Sequence, residues 1–112
     1  MTQTIERTAL TQLVNNEDFA RKVLPHMKRD YFSDKTERTV FEEIAKFVDK
    51  YNKIPTQTSL EIEVQGRKDL NEEEFKKVVA VIQTLDSTDV DFEWLVNTTE
   101  QFCKDRAVYN AI

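Results

Sequence analysis

The 112-residue chain reads as all-α: a small bundle of about six helices, closed by a long C-terminal helix that begins a truncated helical hairpin. Three observations lead there. Gly occurs once and Pro twice, too few for the tight turns of a sandwich or barrel, so helices joined by short polar loops fit better. Apolar residues recur at three- and four-residue spacing along most of the chain. Good helix-starting residues, such as Asn16, Asn71 and Asp91, stand just ahead of those periodic runs.

Each element follows from that pattern. Ile5, Ala9, Leu10, Leu13 and Val14 share a stripe and predict a helix from about Thr4 to Val14. Asn15-Asn16 interrupts it. Asn16 then caps a short helix whose first turn carries Glu17 and Asp18, favourable at the positive end of the helix dipole. Pro25 ends or kinks that helix, and Tyr31-Phe32 is expected to plug the core. Ser33 or Asp34 caps a long helix to about Tyr51, with Val40, Phe41, Ile44, Ala45, Phe47, Val48 and Tyr51 as its apolar positions.

Asn52-Lys53-Ile54-Pro55 is a stop, and Thr56 or Thr58 caps the next helix. Leu60-Glu61-Ile62-Glu63-Val64 also alternates at period two, as a strand would. Helix is preferred because a lone strand has no evident partner, and Gly66 is placed as its C-cap. Asn71 with Glu72-Glu73-Glu74 opens a helix through Phe75, Val78, Val79, Val81, Ile82 and Leu85. A polar loop over 86–89 precedes the last helix, capped by Asp91. There Phe92, Leu95, Thr99, Phe102, Arg106, Tyr109 and Ile112 step along one side. Leu95, Phe102 and Tyr109 stand seven residues apart, the repeat of helix-on-helix packing.

The composition, 39% hydrophobic and 33% charged, suits one soluble globular domain. Sixteen Lys and Arg against 21 Asp and Glu give a formal charge of -5. Non-specific nucleic-acid binding needs a basic surface to neutralise phosphates, so the balance argues against direct DNA binding. The acidity reads as a solubility feature or as a match for a basic partner protein. The small basic groups Lys22, Lys28-Arg29 and Arg67-Lys68 read as mixed charged surface. No apolar run approaches a membrane span and the N-terminus is polar, so the expected location is the cytoplasm.

Catalytic chemistry is thin. One Cys and one His, Cys103 and His26, cannot form a disulfide or a structural zinc site. They could act as a nucleophilic pair only if the fold joined them. Cys103 beside Phe102 reads as a core or interface thiol. A phosphate-cradling loop needs several glycines; Gly66 stands alone with no Gly-Lys-Ser/Thr after it. Glu42-Glu43 and Glu72-Glu73-Glu74 read as solvated faces or dipole partners rather than acid–base pairs. No cofactor or metal residues are assigned.

Trp94 reads either as a core anchor between helices or as an anchor at a subunit interface. The last helix stays apolar through Ala107, Val108, Tyr109, Ala111 and Ile112, which suggests a fragment of a longer protein. An apolar stripe without its partner helix marks an interface. The candidate subunit or partner interface is Trp94, Leu95, Phe102, Cys103, Arg106 and Tyr109.

An ordered series of residues extends this reading. Val23-Leu24-Pro25-His26-Met27 precedes Tyr31-Phe32, then Phe41 and Ile44, then Tyr51, Ile54-Pro55 and Leu60. The series closes with Asp91-Phe92-Glu93-Trp94-Leu95-Val96, Thr99-Glu100 and Arg106-Ala107-Val108-Tyr109-Asn110-Ala111. In this order and spacing it resembles the N-terminal domain of DnaB-family replicative hexameric DNA helicases, and within them the primase-helicase subunit of T-even-type phages. The resemblance implies a helical bundle over 1–90 and the start of a hairpin or linker helix over 91–112, with the ATPase domain absent. It implies assembly with copies of itself, as dimer or hexamer through the hairpin, and contact with primase and a helicase loader. ATP and Mg would belong to the missing motor domain of a 5'-3' helicase. Two other classes compete: a small accessory protein that binds DNA, and a regulator that binds a replication or host protein. Salt-dependent DNA binding would mark the first of these.

Overall fold

Thr4 starts the first helix by accepting from the Arg7 backbone N–H at 3.1 Å. From there helices follow one another to Ala111 in the computed structural model, which describes residues 4–86 and 89–111. The described residues form six α-helices and no strand. They are α1 (Ile5–Leu13), α2 (Glu17–Val23), α3 (Lys35–Tyr51), α4 (Gln57–Gln65), α5 (Glu72–Gln83) and α6 (Phe92–Ala111). Single 3-10 turns, Leu24–His26 and Arg29–Tyr31, connect α2 to α3. Ile112, part of the expected stripe, and Ser87-Thr88 of the expected polar loop lie outside the described residues, as does Met1–Gln3.

Local chemistry fixes the helix starts. Asn16 Oδ1 accepts from Phe19 N at 3.0 Å and begins α2; Pro25 then sits at the head of the first 3-10 turn, where its missing N–H costs nothing. Of Ser33 and Asp34, Asp34 is the cap of α3: its carboxylate accepts from Thr36 N at 2.7 Å. Of Thr56 and Thr58, Thr56 caps α4, in a reciprocal box with Ser59. Asn71 and Glu74 form the same kind of box at α5. Asp91 Oδ2 accepts from Trp94 N at 2.8 Å and starts α6.

The helix ends differ from expectation in one respect. Gly66 does occupy the C-cap of α4, but in a right-handed conformation with φ -80°. Asn52 at the end of α3 is the left-handed residue, φ 54°, a geometry that Asn tolerates better than other side chains with a Cβ.

α3 is the central strut, packed against α1, α4, α5 and the second 3-10 turn. α6 lies across α1 and α2 and touches the same turn. Phe32, 1% exposed, joins these halves: its ring centroid is 5.1 Å from Phe41 of α3 and 6.0 Å from Phe102 of α6. Leu10, Leu13, Phe19, Ile44, Leu60, Ile82, Leu85 and Leu95 complete a continuous core. Along α3 the buried stripe runs through Val40, Phe41 and Ile44, then widens toward solvent, and Tyr51 is exposed. No helix among the described residues is long and apolar enough to cross a membrane.

The expected division at residues 90 and 91 falls just ahead of α6, whose first half packs on the helices before it. Leu95, Val96, Thr99, Phe102 and Cys103 of α6 are all buried, so the first half of this helix belongs to the bundle.

Candidate interaction surface on the last helix

α6 has two faces. Its buried residues fall at 95, 96, 99, 102 and 103, the spacing of one helical stripe. That stripe faces α1, α2 and the turn before α3. Trp94, Gln101, Asp105 and Val108, each a near-whole number of turns apart, face away and are exposed. Trp94 is 51% exposed, Val108 65% and Tyr109 72%.

The helix also outruns its supports. Twenty residues span about 30 Å at 1.5 Å each, close to the full width of a molecule 35 × 32 × 32 Å across. From Lys104 to Ala111 every residue but Arg106 is exposed. Two polar ties hold this end. Arg106 Nη2 meets Glu6 Oε2 of α1 at 3.1 Å, with its guanidinium 5.5 Å from the Phe102 ring centre. Asn110 Nδ2 donates to the Asp30 carbonyl at 3.0 Å.

These placements divide the residues singled out from the sequence. Leu95, Phe102 and Cys103 pack into the chain's own core and present no exposed stripe, because α1, α2 and the 3-10 turn already cover them. Arg106 is half-buried in an ion pair. Trp94 is not a core anchor: the Asp91 cap leaves its side chain on the outer face. Tyr109 stands clear of the bundle. Phe92 and Val108 are exposed apolar residues outside the interface set expected from the sequence. The signal available was angular: Val108 falls on the same helical stripe as Trp94.

The structure brings Cys103 and His26 to the walls of one cleft of about 270 Å³, with Tyr31 and Lys104. Burial pushes the Cys103 thiol up to about 11, with nearby Glu100 adding to the shift. A thiol held that high stays protonated near neutral pH and is a poor nucleophile, so proximity here does not make a catalytic pair.

Charges missed by the sequence reading lie inside. Glu43 is 3% exposed and Glu37 7%, so Glu43 is not on a solvated face. Arg67, just beyond α4, reaches Glu43 Oε2 at 3.1 Å, Glu42 Oε1 at 3.4 Å and Asp69 Oδ2 at 2.6 Å. The bidentate Arg67 fork holds the Asp69 carboxyl down, at about 2. Burial raises the Glu37 pKa above its ordinary value, opposed by the Arg7 guanidinium, whose Nε lies 3.1 Å away.

No protein-family model matches the chain. It is similar to a DnaB-like replicative helicase of Enterobacteria phage T4. The two are 28% identical over 102 residues, which is 91% of this chain. The chain spans about a fifth of that helicase's length, 21%. The likeness therefore runs over most of the chain, while most of the phage helicase has no counterpart in it.

Proposed function

We propose that this chain is the N-terminal assembly and partner-docking domain of a phage replicative DNA helicase of the DnaB type. The parent would unwind DNA 5'-3' with ATP and Mg bound in a separate motor domain. This bundle would support hexamer formation and contact primase or a helicase loader within the primosome. Similarity to the phage T4 helicase across 91% of the chain supports the family reading. The observation that carries the assembly role is the far end of α6. Its last two turns leave the bundle with Val108 and Tyr109 exposed, a surface that a second helix of a hairpin and a neighbouring subunit would cover.

Sedimentation equilibrium tests this directly. The chain is compared with a form extended by about 40 residues of its parent, enough for a connection and a second helix of ordinary length. Dimers or larger assemblies of the extended form, lost on Tyr109→Ser, support the assembly role. If both forms stay monomeric at high concentration, the assembly role is wrong.

A further inference from the structure

The inward stripe of α6 changes character part-way along. Thr99, Phe102 and Cys103 are buried on it, and the next positions in the same register are Arg106 and Asn110. The face continues, but apolar packing gives way to single directional bonds. Arg106 reaches Glu6 of α1 at 3.1 Å, with its guanidinium over the Phe102 ring. Asn110 donates to the Asp30 carbonyl of the second 3-10 turn at 3.0 Å. Ala107, between these two, is exposed and lines the cleft of about 270 Å³ that also holds Cys103, His26 and Tyr31. At that turn the helix crosses a gap.

We propose that residues 104–111 form a latched arm: the outer turns of α6 undock and unwind as one unit when the two ties let go, and this uncovers Cys103. Phe102, packed on Phe32, marks where the firmly docked part ends. Losing one tie of this kind raises an open fraction roughly fivefold. Simple end-fraying behaves otherwise, since it is graded along the helix and follows helix propensity alone. The arm carries Val108 and Tyr109, so the latch sets where that exposed surface points. The latch stands without the helicase reading, and either can fail without the other.

Native-state hydrogen exchange and Cys103 labelling by a disulfide reagent, both on the whole chain, test it. Amides from Ala107 to Asn110 should show closely similar protection that changes little with urea below the unfolding midpoint. Glu6→Gln lies on another helix and leaves the α6 sequence intact. It should speed exchange of these amides, and Cys103 labelling with them, roughly fivefold. Asn110→Ala sets the two behaviours against each other, because Ala favours helix more than Asn does. Loss of its tie, less the helix gain, should still speed exchange roughly twofold, whereas fraying alone would slow it. Protection that falls steadily toward Ala111, slower or unchanged exchange in either variant, or Cys103 labelling that does not follow the amides would overturn the latch.

Discussion

The Arg67 guanidinium donates to Glu43 Oε2 at 3.1 Å, and it does so across two elements to a carboxylate whose side chain is 3% exposed. The other Glu43 oxygen is buried with no partner among the described residues. Arg67 is therefore the main counter-charge for a carboxylate on the central strut. Arg67→Ala should destabilise the fold by about 3–5 kcal/mol, the usual cost of stranding a buried charge. Arg67→Met combined with Glu43→Leu should recover most of that loss, since the buried carboxylate goes with its partner and Glu42 and Asp69 are open to solvent or to Arg29. Urea midpoints of the two variants check both halves. A single variant as stable as the parent would sink the idea.

Acid stability should carry the mark of Asp69. Its folded carboxyl titrates at about 2, against 3.8 normally, because Arg67 grips it. A depressed folded pKa means that the unfolded chain takes up the proton first as pH falls. The contribution is whole above 3.8 and fades as pH drops through about 2. Asp69→Asn should flatten the stability curve in that window. Glu37 works in the opposite sense: its raised pKa gives a contribution present below 4.5 and lost as pH rises through the folded value. Unfolding midpoints measured between pH 2 and 6, with Glu37→Gln as the second variant, separate the two slopes.

Leu95 and Tyr109 share a seven-residue register yet should respond in contrasting ways. Leu95 is fully buried, so Leu95→Ala should cost about 2–5 kcal/mol in thermal or urea unfolding. Tyr109→Ser, at an exposed site, should change stability by less than about 0.5 kcal/mol. Equal losses would mean that the far end of α6 is packed in solution.

The thiol of Cys103 should be slow. Buried and raised to about 11, it should resist a disulfide reagent at pH 8 in the folded chain and react fully in denaturant. Fast labelling of the native protein would show that the α6–turn cleft opens.

Much of this architecture was legible in the residues. Asn16, Asn71 and Asp91 announced helix starts because a cap is a contact between near neighbours. Period-3.6 stripes located Ile44, Phe102 and Leu95 as apolar positions. Periodicity does not say what covers a stripe: own bundle or another chain gives the same spacing, so the sequence alone does not assign Leu95 and Phe102 to core or interface. The Leu60–Val64 run fits both periods, and only packing on α5 settles it as helix. Glu43 looked like surface because Arg67, 24 residues away, supplies no local cue.

The tie from Arg106 to Glu6 spans 100 residues of sequence, and it sets the order in which the molecule can take shape. α1 and α2 precede α6 in the chain, yet α6 is one of their covering walls. Until Phe102 arrives, Phe32 lacks half of its aromatic neighbours and the groove beside α1 and α2 stays open. Contacts this distant in sequence slow folding. A nascent chain halted before Asp91 would carry an open apolar trough, the kind of surface that chaperones hold. α1 and α2 thus wait for α6, and this bundle closes only when α6 docks.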